Sequence, residues 1–546
     1  MQEGEETMPA YSYTPQPFLR PPELDGGSTG APVAIVGAGP IGLAMAIDLA
    51  LHGIRSVVLD DNNVVSVGSR AICWAKRTLE IFDRLGIGER MLKKGVTWKV
   101  GRLFHGDEEV YSFDLLPEEG HKYPAFVNLQ QYYVEEYLLD RARQFPDLID
   151  LRFLSKVVGH DARADGVTLR VETPQGGYAL EAQWLLACDG AKSATRERMG
   201  LTFTGQTFEE QFLIADIEME QSPFAQDTAE RWFWFDPSFH PGKSALLHMQ
   251  PDNIYRIDLQ LDPGADAKAE ASEDRVVPRI RAIVGERPFR LDWLSVYKFR
   301  CIKLDRFVHG RVVFVGDSAH VVSPFGARGG NGGIQDVDNL GWKLAAVLTG
   351  EAEEALIESY DEERGHGSAE NIRNSARSTN FMTPKTPIEA LFRHETLRMA
   401  HDQPFARRLI NSGRLSQPCS LEGLSLQTPG EGRVRPGEPM IDAPVGEGWL
   451  LPRLQGAFTL VGFGGIDLPD AGLRRIGICR PGQGHETGRD YEIHEDREGH
   501  ALRRYGTGLA YLVRPDGHAA AVFHGEVPAG AVKAALARAM GQREMA

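Results

Sequence analysis

At two places in the chain, a strand-like pattern of apolar residues is followed by a glycine-rich turn and then by a helix-like pattern. Residues 33–36 form an apolar run typical of a buried strand, and residues 43–51 carry an apolar helical pattern. The same order recurs between residues 312 and 348, where the glycines lie from Gly326 to Gly333. Glycine lets a ligand approach the bare backbone, and a helix N-terminus favours anionic or electron-rich atoms. The second stretch therefore predicts a site at which backbone amides face a cofactor.

The turn after the first strand has the spacing Gly37-x-Gly39-x-x-Gly42, and a second apolar strand at 56–59 ends in Asp60. Asp60 follows Gly42 by 18 positions, close to the roughly 20 expected for the ribose-binding acid of a dinucleotide fold. In such a fold Gly37 makes the turn, Gly39 admits the pyrophosphate and Gly42 lets helix and strand pack closely. We predict dinucleotide binding, and the alternative is a glycine-rich turn in an ordinary α/β unit.

The segment from 230 to 261 alternates apolar and polar residues, which predicts strands of an antiparallel sheet. In "IYRIDLQL" the alternation places Arg256, Asp258 and Gln260 on one face. One interpretation of these positions is an Arg256–Asp258 pair on a solvated face. His248 lies in the neighbouring strand, and its ordinary interpretation is a hydrogen-bonded histidine.

Composition and charge narrow the class of protein. The 546 residues predict roughly two to four domains, and 42% hydrophobic with 25% charged residues is a normal globular mix. The net charge of −16 argues against a nucleic-acid or anionic-membrane surface, and no apolar run approaches the roughly 20 residues of a spanning helix. The acidic N-terminus lacks the apolar core of a secretory signal. Five dispersed cysteines without a C-x-x-C indicate a reducing cytoplasm and predict neither a metal site nor disulfides.

Two further motifs follow the glycine fingerprint. An apolar strand ends in Asp189-Gly190, with Ser193 and Arg196 behind it, and a later strand ends in Gly316-Asp317-Ser318-Ala319-His320, followed by Pro324. Three motifs in this order resemble those of the FAD-dependent aromatic hydroxylases, the class A flavoprotein monooxygenases, in the branch of phenol hydroxylase and 3-(3-hydroxyphenyl)propionate hydroxylase. The resemblance implies FAD as the bound cofactor, NADH or NADPH as a transient reductant, and O2 as co-substrate.

The resemblance also implies roles for individual residues. Asp60 is expected on the adenosine ribose, Asp317 on the ribityl hydroxyls, and Arg70 and Gln131 near the flavin, with an ordinary surface position as the alternative for the last two. Glu135, in the same Q-x-x-x-E stretch as Gln131, is expected to be a helix-face or capping residue. The full set of expected cofactor-binding residues is Gly37, Gly39, Gly42, Asp60, Arg70, Gln131, Asp189, Gly190, Gly316, Asp317, Gly329, Gly330 and Asn331.

At the second glycine-rich turn, the resemblance places the backbone N–H groups of Gly329, Gly330 and Asn331 against the pyrimidine edge of the flavin. Arg328 departs from the commoner motif, and its side chain is expected either beside the flavin or in solvent. His320 is expected to be structural. The expected substrate-pocket residues are Arg256, His248 and Pro324. Arg256 resembles an R-x-[DE] position of hydroxyphenylpropionate-type hydroxylases, where an arginine can anchor a substrate carboxylate through a bidentate pair. His248 is a candidate base for a phenol, and no catalytic side chain stands out.

The implied fold is α/β, with a Rossmann-like FAD-binding domain, an inserted antiparallel substrate sheet and a C-terminal thioredoxin-like domain that lacks C-x-x-C. The expected boundaries are 1–30 for a flexible tail, 31–200 and 299–385 for the FAD-binding domain, 201–298 for the insert, 386–430 for a helical connector and 431–546 for the C-terminal domain. The C-terminal domain is expected to serve packing or to support a homodimer.

The implied function is hydroxylation of a phenolic ring, with or without a carboxylate, through a flavin C4a-hydroperoxide. Three alternatives stay open. One is a monooxygenase acting on a polyketide-like or antibiotic substrate, and another is a non-catalytic FAD-binding protein. The third is a halogenase, because "WFWFDP" at 232–237 is similar to a flavin-dependent halogenase motif. The partner expected in each enzymatic case is a small aromatic molecule.

Overall fold

The computed structural model describes residues 11–68, 71–116, 118–224, 228–323, 326–410, 417–483 and 490–542. Its first layer is a six-stranded sheet whose neighbouring strands are parallel, apart from one antiparallel edge strand. In spatial order the strands are Val308–His309, Val312–Phe314, Trp184–Ala187, Val33–Val36, Ser56–Leu59 and Ile149–Arg152. An antiparallel three-stranded sheet, Lys156–Ala162, Val167–Thr173 and Gly176–Ala182, precedes the strand at Trp184. The Rossmann-like prediction is confirmed.

Helices pack around the parallel sheet and bury its apolar strands. Pro40–Leu51 contacts Gly329–Leu348 most extensively, because Gly341 leaves room for Asp48 where a Cβ would lie 1.6 Å from its Oδ2. The helices of this domain are Pro40–Leu51, Lys76–Arg84, Gly88–Lys94, Gln131–Ala142, Ala194–Arg198, Gly329–Leu348 and Ala355–Met382.

The second layer is an eight-stranded, mostly antiparallel sheet. Its spatial order is His320–Val321, Arg290–Lys303, Thr204–Glu218, Ile254–Gln260, Ser244–Met249, Glu230–Phe235, Val100–His105 and Glu108–Asp114. The sheet therefore extends beyond the expected insert of 201–298, since two strands come from residues 100–114. Helices Ala267–Glu270 and Glu273–Val284 accompany it, and a small sheet of Cys73–Ala75, Phe126–Asn128 and Val96–Thr97 lies between the two layers.

The C-terminal domain contains a five-stranded mixed sheet. Its spatial order is Glu492–Glu495, Arg474–Cys479, Thr459–Phe463, Leu509–Val513 and Ala519–His524, with the first three strands parallel and the last two antiparallel. Helices Leu451–Leu454, His500–Tyr505 and Ala529–Ala539 and the short strands Pro444–Val445 and Gly448–Trp449 complete the domain, and helices Pro387–Ala400 and Pro404–Ile410 precede it. Three parallel strands followed by an antiparallel pair and a terminal helix agree with the thioredoxin-like expectation.

A buried charged cluster joins this domain to the long helices. The Arg514 guanidinium donates to both carboxylate oxygens of Glu363, at 2.6 and 2.9 Å, and Lys343 Nζ lies 2.7 Å from the same carboxylate. Asp516 pairs with Arg514 from within the hairpin, and all four side chains have no exposed surface. Since removing one member would leave an uncompensated buried charge, the cluster fixes the C-terminal domain against helices Gly329–Leu348 and Ala355–Met382.

Residues 11–30, part of the expected tail, pack on the FAD-binding domain. The Tyr11 hydroxyl donates to Glu136 at 2.6 Å, and its ring stacks on Tyr132 with centroids 4.2 Å apart. Glu23 forms a buried ion pair with Arg152 at 3.0 Å. These aromatic and charged contacts order the segment despite its Pro- and Gly-rich composition.

No helix in the described ranges is long and apolar enough to cross a membrane.

Candidate functional site

The first glycine turn has the geometry that its spacing predicts. Gly37 has φ +106°, and a Cβ there would lie 2.5 Å from the carbonyl oxygen of Cys188. A Cβ at Gly42 would lie 1.9 Å from the Gly37 oxygen, so this helix can approach the strand only without a side chain. A Cβ at Gly39 would meet no described atom within 4 Å. Gly39 therefore leaves an open approach to the N-terminus of helix Pro40–Leu51, where a phosphate is favoured.

Asp60 lies at the end of the second strand and turns back toward the glycine turn. Its Oδ2 accepts the Ala38 N–H at 2.6 Å, and its Oδ1 accepts the Asn62 N–H at 2.8 Å. Burial raises the pKa of Asp60, and these two backbone donors oppose the rise. The carboxylate thus stands beside the open glycine turn, in the place expected for a ribose-binding acid.

The Asp189-Gly190 segment approaches the same edge of the sheet. Asp189 Oδ2 accepts the Thr195 N–H at 3.0 Å, whereas its buried Oδ1 has no hydrogen-bond partner among the described residues. Gly190 has φ +74°, which glycine adopts without strain. Arg196, capped by Ser193, donates to the carbonyl oxygen of Ser318 at 3.3 Å. The second motif is therefore bonded to the third.

The Gly316-Asp317 turn is held by a buried carboxylate on the neighbouring helix. Asp336 Oδ2 accepts the Gly316 N–H at 3.0 Å and lies 2.7 Å from His320 Nε2. Its Oδ1 accepts from Arg364 Nε at 2.6 Å. His320 is therefore structural, as expected. The sequence analysis singled out neither Asp336 nor Arg364.

The helix behind the second glycine-rich turn begins at Gly329. The N–H groups of Gly329, Gly330 and Asn331 lie in its first turn and have no acceptor within the helix. A Cβ at Gly330 would lie 3.3 Å from that of Ala71, so the backbone is approached closely there. The Asn331 side chain has a structural task, accepting the Ala75 N–H at 2.9 Å and donating to the Cys73 carbonyl at 2.9 Å.

Gln131 and Glu135 hold the loop that precedes the small sheet. Gln131 Oε1 accepts the Ala71 N–H at 3.1 Å, and its Nε2 donates to Glu135 at 2.8 Å. Glu135 accepts both the N–H and the hydroxyl of Ser66 at 2.6 Å, and is buried rather than a helix-face residue. Arg70 and Pro324 lie outside the described residues.

These features fit FAD. The open approach at Gly39 suits a pyrophosphate, Asp60 suits a ribose, and the orphaned buried oxygen of Asp189 requires a donor that a cofactor can supply. The positive end of helix Gly329–Leu348 suits an electron-rich ring edge. Gly37, Asp60, Asp189 and Gly316 thus follow the carboxyl ends of four neighbouring parallel strands.

A cavity of about 680 Å³ opens beside the start of this helix. Its walls come from the substrate sheet, the small sheet, Gly326 and Arg328, the end of helix Ala355–Met382 and the two connector helices. Many aromatic side chains line it, and they include Trp98, Tyr111, Phe126, Phe233, Phe235 and Phe381. Arg328 is buried and donates to Asn371 Oδ1 at 2.9 Å, so its side chain does not extend into solvent.

Arg256 does not line this cavity, and its expected role as a substrate anchor is not supported. Its Nε and Nη2 donate to the two carboxylate oxygens of Asp216, at 2.8 and 2.7 Å, in the adjacent strand. Both side chains are buried, so the alternative of an Arg256–Asp258 pair on a solvated face is also wrong. The partner lies 40 residues earlier, where local alternation gives no signal.

His248 lies in the same cross-strand row, between Arg231 and Arg256. Burial, together with the positive charge of Arg231, lowers the pKa of His248 to about 4. Its Nε2 lies 3.8 Å from Asp258, and the ring is not part of the cavity lining. At neutral pH the residue is therefore a buried neutral imidazole.

The motif at 232–237 divides between the two faces of its strand. Trp232 and Trp234 pack with Phe104 in the core on the far side of the sheet. Phe233 and Phe235 line the cavity. The halogenase interpretation thus loses its support, because the two tryptophans serve core packing.

The fold and the site define the class: a flavoprotein with an FAD-binding domain and an aromatic cavity under a substrate sheet. The family model described as FAD binding domain matches residues 30–375. The chain therefore belongs to this FAD-binding-domain family, and it is an FAD-dependent monooxygenase of the aromatic hydroxylase type.

Relatives and a solved structure support this assignment. A flavin-dependent monooxygenase of Mycobacteroides abscessus is 32% identical over 66% of this chain and 77% of its own length. A 3-(3-hydroxy-phenyl)propionate/3-hydroxycinnamic acid hydroxylase of Mycobacterium sp. (strain JLS) is 28% identical over 79% and 73%. The flavin-dependent monooxygenase PieE, in a crystal structure with FAD and substrate, has a TM-score of 0.78 at 21% identity and covers 94% of this chain and 99% of its own. The last comparison shows the shared fold.

Proposed function

We propose that the protein hydroxylates a phenolic ring with NADH or NADPH as reductant and O2 as co-substrate. The observation that carries the proposal is the aromatic cavity, which opens beside Arg328 at the start of helix Gly329–Leu348. A flat apolar ring system fits walls of Trp98, Phe126, Phe233 and Phe381. The likeness to the propionate/cinnamic acid hydroxylase supports a phenolic substrate.

FAD, when bound, supplies the redox chemistry with the nicotinamide and with oxygen. The protein's own contribution is positioning, charge stabilisation and exclusion of water. The first-turn N–H groups of Gly329, Gly330 and Asn331 offer donors where negative charge is to be stabilised. The cavity walls hold the ring at the end of that helix and displace water from it.

The size of the cavity favours a second candidate within the same reaction class. Ligand pockets of about 300–1,000 Å³ hold drug-sized molecules, and the cavity of about 680 Å³ exceeds what one substituted phenol fills. A substrate with several fused aromatic rings, as in polyketide-like compounds, would occupy it more completely.

The test is oxidation of NADH and of NADPH by the FAD-loaded protein, with oxygen uptake and peroxide recorded, against single-ring phenols and fused-ring phenols. We expect one class to stimulate oxidation with little peroxide, and 18O2 to place one labelled oxygen in the product. Stimulation by fused-ring phenols alone would select the second candidate. Oxidation that no phenol changes, with all reducing equivalents recovered as peroxide, would contradict both.

A further inference from the structure

Arg231 is a buried cation at the wall of the aromatic cavity. Its side chain is 8% exposed, and it lines the cavity together with Phe233 and Trp98. The guanidinium carbon lies 5.0 Å from the ring centre of Phe233 and 5.6 Å from that of Trp98. Aromatic faces attract a cation but carry no net charge that would neutralise it.

The polar neighbours of Arg231 also leave its charge uncompensated. Nη1 lies 3.5 Å from Cys73 Sγ, and burial raises the pKa of that thiol, which keeps it neutral. Nε is buried without a hydrogen-bond partner, and within the described ranges no carboxylate forms an ion pair with Arg231. A buried charge without a counter-charge is costly, so the arrangement calls for an anion.

In the neighbouring strands the nearest carboxylate of the same row pairs with another arginine. Arg231, His248, Arg256 and Asp216 form one row across four strands. Asp216 is bonded by both oxygens to Arg256, which neutralises that end of the row. His248 separates this pair from Arg231 and is itself neutral. The end of the row that reaches the cavity is therefore positive.

The rest of the cavity has the same sign. Arg328, Arg373, Arg377 and Arg393 also line it, whereas Glu389 is the one carboxylate among the described lining residues. Glu389 stands at the exposed rim and accepts the backbone N–H groups of Lys385 and Thr386 at the start of helix Pro387–Ala400. A cavity with walls of one sign attracts ligands of the opposite sign.

We propose that the substrate is an aromatic carboxylate and that Arg231 binds its carboxylate group. The Nε–H and the terminal N–H groups of a guanidinium form a fork that matches a carboxylate. The anchored group then lies against the sheet, and the ring system extends along the aromatic walls. This inference rests on the proposed function for the reaction and deepens it by naming the substrate class and the anchor.

The test measures binding by calorimetry with FAD-loaded protein and without NADH or NADPH. The probes are 6-hydroxy-2-naphthoate and its neutral amide, with 3-hydroxybenzoate and 3-hydroxybenzamide as single-ring pairs. We expect the wild type to bind a carboxylate about tenfold more tightly than its amide, or better, because the charged pair forms in a desolvated site. In Arg231→Met, which keeps much of the volume, the preference should fall to about one.

The matched control is Arg290→Met in the same sheet, since Arg290 is partly exposed and pairs with Glu218. It should leave the preference within about twofold of the wild type. Three outcomes would each overturn the proposal. The wild type could bind acid and amide equally, it could bind neither acid, or the preference could survive in Arg231→Met.

Thermal unfolding provides a second arm that does not depend on catalysis. If Arg231 is an uncompensated buried charge, Arg231→Met should unfold no lower than the wild type, and 6-hydroxy-2-naphthoate should stabilise only the wild type. A strongly lowered midpoint in Arg231→Met would identify an ordinary structural arginine and contradict the inference. Binding that follows these expectations without any hydroxylation would retain the anchor and reject the proposed reaction.

Discussion

His320 Nε2 lies 2.7 Å from Asp336 Oδ2, and the same oxygen accepts the backbone N–H of Gly316. This relationship ties the Gly316-Asp317 turn to the helix whose first turn faces the expected flavin position. Burial alone would raise the pKa of Asp336, but His320 and Arg364 outweigh it and hold the pKa below its ordinary value. The carboxylate therefore stays ionised, and this one charge positions both the Gly316-Asp317 turn and the helix that begins at Gly329.

Asp336→Asn should destabilise the FAD-binding domain and release FAD. The change leaves Arg364 as a buried cation without its carboxylate, a loss of about 3–5 kcal/mol. Thermal unfolding and the FAD content after gel filtration measure the two effects. Glu358→Gln is the control, because its pair with Arg306 is more than half exposed and is worth at most about 1 kcal/mol. Full FAD content in Asp336→Asn would contradict the assigned role.

Gly37→Ala should empty the cofactor site, since the added Cβ would lie 2.5 Å from the Cys188 carbonyl oxygen. Gly53→Ala is the matched control: its φ is also positive, at +75°, but a Cβ there meets no described atom within 4 Å. Strain at positive φ costs both variants about 1 kcal/mol or somewhat more, so only the collision distinguishes them. The flavin-to-protein absorbance ratio measures occupancy. Equal, full occupancy in both variants would show that the turn does not need a glycine here.

Asp442→Asn should stabilise the protein at pH 8 and lose this advantage on acidification. Burial raises the pKa of Asp442 from 3.8 to about 6, although the N–H groups of Ala443 and Leu451 donate to its Oδ1. The folded state thus binds a proton more tightly than the unfolded chain, so ionisation costs up to about 3 kcal/mol above pH 6 and nothing below about pH 4.

The measurement for Asp442 is the difference in unfolding free energy between variant and wild type across this pH range. The asparagine oxygen can still accept both N–H groups, so the slope of the difference isolates the charge. Asp470→Asn, at an exposed turn of the same domain, is measured alongside as the control for the substitution itself. A flat profile for Asp442→Asn would contradict the raised pKa.

The parts of the site that could be predicted are those in which one short segment sets the geometry. Gly37, Gly42 and Gly190 are required by local turns, and Asp60 follows its strand at a spacing that the fold imposes. The residues that were missed act between distant segments. Asp336 serves a turn 20 residues earlier, and Asp216 reaches Arg256 only through the register of two strands. Register depends on the packing of whole sheets, which a single sequence does not display.

The alternation of apolar and polar residues that places Arg256 on one face of its strand also applies to Arg231. It shares a strand face with Phe233 and Phe235, in the segment whose tryptophans are similar to a halogenase motif. What distinguishes Arg231 is that no described carboxylate pairs with it, and this is visible only in the assembled sheet. The packing of residues 11–30 has no local sequence signal for a related reason, because the contact between Tyr11 and Glu136 spans 125 residues.

The bond between Arg514 and Glu363 has a consequence for biosynthesis. The two residues are 151 positions apart, so the ribosome completes every cofactor-binding motif long before it makes the arginine. Until then Glu363 and Lys343 have been made without the guanidinium that occupies both carboxylate oxygens in the complete fold. The buried charged cluster is therefore completed only by the last part of the polypeptide to be synthesised.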